Sequence, residues 1–198
     1  MKNLPLAASP TEHFDEMPLD VEEYWQLAMH AGAARDHHAA LTYLKKLLGL
    51  QPGHVDAMYL LALQHAEIGL TPRAIDGLKR VVAREPDFAV ARFQLGMLLV
   101  RAGEVAAARR EFATFRSHPD QALCMFADGM TAVADKNHAV AVQKIRNGLS
   151  ISLSGTPMWA TMRSLLEMLT SAQEPAATST HASQGSEAVV QAYRDASN

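Results

Sequence analysis

Apolar side chains recur at spacings of three and four residues along most of this chain, as they do in helices that bury one face. Glycine, proline and short polar residues interrupt the pattern at regular intervals, as at helix ends. No stretch shows the period-two alternation that is typical of a half-buried strand. The pattern therefore predicts an all-α fold of nine helices, over approximately residues 21–33, 37–48, 55–68, 72–84, 88–101, 105–116, 120–134, 138–150 and 157–171.

Several predicted helices start at residues with the chemistry of caps. Asp20, with Glu23 three residues later, matches a capping box. Asp36 is an N-cap candidate for the second helix, and Thr71 is one for the fourth, where Pro72 follows at the first helical position. Tight turns between these starts and the preceding helices predict antiparallel helical hairpins.

One hairpin, residues 55–86, recurs 34 residues earlier and 34 residues later. When each unit is numbered from the start of its first helix, positions eight and twenty hold small residues, which let two helices approach closely. Positions seven, twenty-four and twenty-seven hold large apolar residues that fill the space between hairpins. The predicted core therefore comprises Leu27, Ala28, Ala40, Leu44 and Leu47, then Leu61, Ala62, Ala74, Leu78 and Val81, then Leu95, Gly96, Ala108, Phe112 and Phe115.

The period, the core positions and the closing prolines Pro52, Pro86 and Pro119 resemble the tetratricopeptide-repeat family over about residues 21–151. The resemblance implies a right-handed solenoid of stacked hairpins, with the first helix of each unit lining a concave side. A pentatricopeptide interpretation, which would imply an RNA ligand, fits less well because of the 34-residue period, the closing prolines and the low net charge.

A fourth unit is degenerate. Gly129, Ala141 and Ile145 occupy positions eight, twenty and twenty-four, but Asp128 stands at position seven, where a leucine is expected. The ninth helix, which contains Trp159 and several leucines, is expected to cover the open end of the stack, because the last hairpin otherwise leaves an apolar face in water.

Composition narrows the class of partner. The 198 residues are 48% apolar and 20% charged, with a net charge of −3. This is typical of soluble globular proteins and does not favour a nucleic acid or a membrane as partner. There is one cysteine, no apolar run long enough to span a membrane and no signal-peptide pattern, so we expect a cytoplasmic protein.

Charge and composition also change along the chain. Residues 1–19, with three prolines among acids, predict a flexible acidic arm, and residues 20–171 predict the repeat domain with its capping helix. Residues 172–198 are mostly small and polar and predict a flexible tail. Within that tail, residues 186–196 are a candidate short helix with Val189, Val190 and Tyr193 on one side.

The family resemblance implies that positions two, five, nine, twelve and thirteen face the concave side. Position five is aromatic in all four units, and position nine holds a methionine or a leucine. Aromatic side chains give large contact areas, and methionine adapts to irregular partners. We therefore predict a peptide-binding groove lined by Trp25, Met29, Tyr59, Leu63, Phe93, Met97, Phe126 and Met130, with polar contacts from Gln26, Glu67, Gln94 and Arg101.

Other interpretations of these residues stay open. The position-five aromatics are also suited to pack against a facing helix, against the ninth helix or under the arm, and isolated polar residues are equally compatible with simple solvation. One kind of groove is disfavoured. The clamp that holds chaperone carboxylates uses Lys, Asn and Arg, but the corresponding positions here are Trp25, Met29, Leu60, Val90 and Gln94.

No catalytic constellation, metal-ligand set or cofactor-binding loop can be assembled from the sequence. The sequence therefore predicts a non-enzymatic module, without cofactor or metal, that binds an apolar or amphipathic segment of another protein. Two alternatives remain. The layout resembles the repeat-type chaperones of bacterial type III secretion, which would imply a hydrophobic secreted partner. A self-associating scaffold or homo-oligomer, with the arm or tail in the groove, is the other.

Overall fold

A computed structural model of the chain describes residues 19–152 and 154–171. In those residues it contains nine α-helices, one short 3-10 helix and no strand. The predicted all-α class is confirmed. The α-helices are α1 Val21–Ala33, α2 His37–Leu50, α3 Val55–Glu67, α4 Thr71–Arg84, α5 Ala89–Arg101, α6 Val105–Ala113, α7 Gln121–Ala134, α8 His138–Ile151 and α9 Pro157–Ser171.

The helices belong to two compact units that divide between Ala91 and Arg92. We call them the N-terminal unit, whose described part is residues 19–91, and the C-terminal unit, which has residues 92–152 and 154–171 described. In the N-terminal unit α1 packs against α2, α2 against α3, and α3 against α4. In the C-terminal unit α6 packs against α7, α7 against α8, and α8 against α9.

Two of the predicted caps are confirmed and one is wrong. The Asp20 carboxylate accepts a hydrogen bond from the Glu23 N–H (2.8 Å), and the Glu23 carboxylate accepts one from the Asp20 N–H (2.9 Å). Asp36 accepts from the Ala39 N–H (2.9 Å). Thr71, however, is the first residue of α4, and Leu70 precedes it without a side-chain cap. The Leu70 N–H donates to the His65 carbonyl (2.8 Å), as the Asp36 N–H does to the Ala31 carbonyl (2.9 Å), so Leu70 takes the cap position that Asp36 takes in the first unit.

The turn inside each hairpin contains one residue in the left-handed conformation. In the second and third units it is glycine, Gly69 at φ +81° and Gly103 at φ +78°. In the first and fourth it is Arg35 at φ +58° and Lys136 at φ +59°. Glycine adopts this conformation without steric cost, whereas a residue with a Cβ does not. The same turn is therefore made with more backbone strain in the first and fourth units.

The predicted core positions are confirmed except at position seven, where Leu95 is buried but Leu27 and Leu61 are only half-buried. Alanine at position twenty is completely buried in every unit, and the large residue at position twenty-four is at most 2% exposed. Position eight is glycine where the residue packed against it is bulky. A Cβ on Gly96 would lie 2.6 Å from the Phe112 ring. Likewise, a Cβ on Gly129 would lie 2.7 Å from Ile145 Cγ1. Positions eight and twenty-four are thus matched in size within a hairpin.

The degenerate fourth unit replaces a core contact with a surface ion pair. Asp128, at position seven, is exposed and accepts a hydrogen bond from Lys144 Nζ on α8 at 2.8 Å. The hairpin still closes, since Ala141 and Ile145 are both completely buried beneath it. Position seven is therefore dispensable in this unit, while positions eight, twenty and twenty-four are kept.

The ends of the repeat region are only partly described. Helix α9 packs against α8 and buries Met162 and Leu169. The predicted arm over residues 1–19, apart from Leu19, lies outside the described residues, as does the predicted tail over residues 172–198. The domain boundaries that the sequence suggests therefore stay predictions.

Candidate functional site

The position-five aromatics of the N-terminal unit make a repeated contact with the residue that precedes the next unit. The Trp25 ring stacks on the His54 ring, with centroids 5.2 Å apart. The Tyr59 ring packs on the Phe88 ring at a tilt of 47°, with centroids 5.1 Å apart. His54 and Phe88 are themselves 34 residues apart, so the contact has the period of the repeat. These rings therefore join consecutive hairpins and stay only half exposed.

Tyr59 shows the chemical consequence of that packing. Burial raises the pKa of its phenol, because removing water disfavours the phenolate. The ring is neutral at ordinary pH and presents an apolar body with a polar tip.

The prediction that Phe93 and Phe126 are exposed groove aromatics is wrong. Phe93 is completely buried, with its ring 5.4 Å from that of Phe112. Phe126 is 2% exposed, and a Cβ on Gly148 would lie 2.5 Å from its ring. The Phe126 ring fills the space that Gly148 leaves between the helices, and the Phe93 ring packs edge-on against the Phe112 ring. In the C-terminal unit, position five is thus a core position.

The position-nine residues have more varied surroundings. Met29 is 45% exposed on α1, and Leu63 on α3 is half-buried. Met97 on α5 is half-buried, whereas Met130 on α7 is 4% exposed. Met97 and Met130 both line one cavity of the C-terminal unit, so the structure brings this part of the predicted groove together.

That cavity has a volume of about 680 Å³ and lies among three helices, so we call it the α5–α7–α9 cavity. Its lining is mainly apolar and includes three methionines. Met168 of α9, on the same wall as Leu165, has 63% of its surface exposed. The lining residues are Met97, Val100 and Arg101 of α5, Met130 and Val133 of α7, and Ala160, Thr161, Ser164, Leu165 and Met168 of α9.

The sequence-based groove missed most of this lining. Val100 and Val133 stand at position twelve of their units, which the family frame already places on the concave side. Their apolar character at that position was the available signal. The contribution of α9 had no such signal, because this helix lies outside the repeat frame.

The predicted polar contacts do not converge on one place. Gln26 Nε2 donates to Glu22 Oε1 (2.7 Å) on the same helix, and Glu67 is exposed at the end of α3. Gln94 is half-buried on α5. Arg101 alone among the four lines the α5–α7–α9 cavity, where it adds a positive charge to the apolar lining.

A second, smaller cavity of about 250 Å³ lies in the N-terminal unit, and its lining includes Met58, Leu61, His65 and Arg80. The pKa of His65 is lowered, chiefly by burial and further by the positive charges of Lys45, Arg73 and Arg80. The imidazole is therefore neutral over a wider pH range than an exposed histidine.

Two other kinds of site are absent from the described residues. No group of three or more His, Cys, Asp or Glu side chains there is placed to hold a metal ion. In the same part of the chain, no helix is both long and apolar enough to cross a membrane.

Comparisons with known proteins agree with this architecture. The family model for the tetratricopeptide repeat matches residues 26–89 and 64–122. No curated protein sequence matches the chain significantly.

Solved structures of similar fold are repeat proteins. TTC0263, a thermophilic TPR protein of Thermus thermophilus, is 23% identical, with a TM-score of 0.64 over 78% of this chain and 83% of that one. YrrB, described as a TPR protein with an unusual peptide-binding site, is 22% identical, with a TM-score of 0.56 over 74% of this chain and 75% of that one. MamA from Desulfovibrio magneticus RS-1 is 14% identical, with a TM-score of 0.57 over 78% and 97%.

At these sequence identities the similarity to solved structures shows the fold of the chain and does not indicate its ligand. The fold agrees with the matched repeats and with the small and large positions buried in every unit. The chain therefore belongs to the tetratricopeptide-repeat family.

Proposed function

We propose that this protein is a non-enzymatic interaction module whose C-terminal unit binds an apolar or amphipathic segment of another protein in the α5–α7–α9 cavity. The observation that supports this most directly is the lining, with Met97, Val133 and Leu165 around a cavity of about 680 Å³. Cavities of this size and composition are typical ligand sites in proteins. A large apolar recess that faces water commonly marks a site of association.

The chemistry of the lining suggests the kind of segment. Three methionine side chains can repack around differently shaped apolar groups, which suits a segment with two or three aliphatic or aromatic anchors. We therefore expect a short apolar or amphipathic segment whose anchors enter this methionine-rich lining.

The N-terminal unit supplies a second, smaller apolar surface in this proposal. Met29 is exposed, and Trp25, Tyr59 and Leu63 remain half exposed beside it in the repeat frame. Because Trp25 and Tyr59 also join consecutive hairpins, their replacement would disturb packing as well as binding. Met29 is the cleaner position at which to test this surface.

The test is to replace Met97 and Met168 together with Gln in the full chain. Gln keeps the length of the side chain but introduces polar groups that the apolar lining cannot satisfy. We expect the double variant to bind a partner segment, identified by co-purification and then synthesised, at least tenfold more weakly by fluorescence anisotropy. Binding of the dye anilinonaphthalene sulfonate should fall in parallel.

The matched control is Leu50→Gln, because Leu50 is 57% exposed on α2 and lies in the other unit. It should leave both measurements unchanged. Circular dichroism should show the same helicity for all three proteins. Wild-type affinity in the Met97 and Met168 double variant would sink the proposal. Met29→Gln, measured separately, reports on the N-terminal surface.

The secretion-chaperone alternative stays a prediction. The solved structures of similar fold are too distant in sequence to carry a function, and YrrB's peptide-binding site is a property of that protein. Self-association through the chain's own termini leads to a more specific inference.

A further inference from the structure

We infer that residues 186–196 of the same chain occupy the α5–α7–α9 cavity when no partner segment is bound. The inference rests on the proposed function, since it uses the same apolar recess. It makes the chain's own C-terminal segment a competitor for that site. Three observations carry it: where the described chain ends, what residues follow, and what the cavity lacks.

The described chain ends beside the cavity. Helix α9 forms one wall through Ala160, Thr161, Ser164, Leu165 and Met168, and it ends at Ser171. At 1.5 Å per helical residue, these wall residues lie about 5 to 17 Å along the helix axis from Ser171. Whatever follows Ser171 is therefore tethered within a short distance of the recess.

The residues that follow contain one apolar cluster. Residues 172–185 are small or polar, apart from Pro175, and contain none of the large apolar residues. Val189, Val190 and Tyr193 come next and are the large apolar residues of 172–198. Their spacing places them on one face of a helical turn. A tail built only for solubility would not need such a cluster.

The spacer has the length that the geometry requires. About 17 residues separate Ser171 from Val189, and a flexible chain of that length has a root-mean-square span of about 20 to 25 Å. This exceeds the distance back along α9 to the cavity without greatly overshooting it. A tether of matched length gives an effective concentration on the order of 1 mM. Even a weakly binding segment would then occupy the site for much of the time.

The cavity lacks an apolar cover from the described part of its own unit. Met168 is 63% exposed at its edge, although Leu169 next to it is buried. Two valines and a tyrosine match the aliphatic and methionine lining, and the Tyr193 hydroxyl can remain in water at the rim. The N-terminal arm is a weaker candidate, because α1, the helix to which it is joined, contributes no lining residue to the cavity.

The inference is tested by adding the segment back in trans. A fluorescent synthetic peptide of residues 184–198 is titrated with two full-length proteins, the wild type and a variant carrying Val189→Ser, Val190→Ser and Tyr193→Ser. In the wild type the tethered copy competes, whereas in the variant it does not. We expect the variant to bind the peptide threefold to tenfold more tightly. The matched control Gln191→Ser should behave as the wild type.

A second substitution locates the binding. Met168→Gln in the triple-serine background should weaken binding of the peptide at least threefold, and circular dichroism should show unchanged helicity because Met168 is exposed. A photoreactive residue at position 193 of the full chain should cross-link to α5, α7 or α9 within a monomer. Cross-links in a dimer band would assign the segment to a second copy and overturn the inference.

Two further outcomes overturn it. The peptide could fail to bind the triple-serine variant, or it could bind the wild type and the variant equally. Neither outcome affects the proposed function, which is judged separately by the loss of dye and partner binding when Met97 and Met168 are replaced. If that loss is absent while the tail peptide still binds, the proposed function fails and a tail-covering role remains.

Discussion

At the scale of single residues, side-chain size at matched positions decides which residues are buried. Position eight is alanine where position twenty-four is leucine, and glycine where it is phenylalanine or isoleucine. The position-five rings show the same dependence on neighbours. Trp25 is half-buried beside His54, whereas Phe93 is completely buried against Phe112 and Phe115. The position in the repeat therefore determines the direction in which a side chain points, and the size of the residue packed against it determines how much of that side chain is exposed.

Gly96→Ala should destabilise the C-terminal unit. The added Cβ would lie 2.6 Å from the Phe112 ring, which is itself fixed by Phe93. Overpacking of this kind typically costs about 1–3 kcal/mol in the free energy of unfolding. Urea denaturation would measure it. Gly49→Ala is the control, since nothing lies within 4 Å of its added Cβ and helix propensity alone should stabilise by about 0.5–1 kcal/mol. Equal effects at the two glycines would contradict the close contact.

His65 should make stability depend on pH. Burial, with Lys45, Arg73 and Arg80, lowers its pKa in the folded state below the ordinary value of 6.5. The unfolded chain therefore binds the proton more tightly. The stability contributed by the neutral imidazole is complete above pH 6.5 and is lost as pH falls through 6.5 to below the folded pKa. Urea denaturation between about pH 8 and pH 5 should show a steeper decline for the wild type than for His65→Gln. Parallel curves would rule out this linkage.

At the scale of elements, each hairpin is built from a small set of turn and cap interactions. Asp20 and Asp36 cap α1 and α2 with their carboxylates, whereas α4 starts without a side-chain cap after Leu70. The turn between paired helices uses one left-handed residue in all four units. The hairpin is therefore specified locally, and its stability differs between units according to which residue makes that turn.

Arg35→Gly should stabilise the first hairpin by about 0.5–1 kcal/mol, because it relieves the cost of a left-handed backbone with a Cβ. Lys136→Gly should do the same in the fourth unit. The reverse change, Gly69→Ala, should destabilise by about 1 kcal/mol or more. Thermal unfolding of the three variants provides the comparison. If Arg35→Gly lowers the melting temperature, the greater entropy of glycine in the unfolded chain outweighs the relief of strain.

At the scale of the whole molecule, the two compact units differ in what they expose. In the N-terminal unit the position-five aromatics keep half-exposed edges, and Met29 faces water. In the C-terminal unit the position-five aromatics are buried in the core, and the apolar side chains that remain accessible line a cavity that α9 helps to form. The single row of aromatics that the sequence suggests is therefore not a single kind of surface.

Phe126→Ala distinguishes core from groove. A groove residue could be truncated without loss of stability, but a buried phenylalanine typically costs about 3–5 kcal/mol when it is reduced to alanine. Hydrogen exchange should therefore become faster in α7 and α8, which surround Phe126 and Gly148. Met29→Ala, at an exposed position, should leave exchange in α1 and α2 nearly unchanged. Unaltered protection of α7 in the Phe126 variant would restore the groove interpretation.

The sequence by itself determined the hairpins, because helix period, caps and the size of residues at positions eight, twenty and twenty-four act within one unit. Ala28, Ala62 and Gly96 could be assigned to close helix contacts from their spacing alone. The tertiary structure decided which apolar residues face a partner. Whether Phe126 or Met168 meets water depends on residues of other helices, such as Gly148, a small residue at position twenty-seven, where the other units carry a large one. Exposure is a property of the packed assembly of helices, and so the candidate site emerged only when α5, α7 and α9 were placed together.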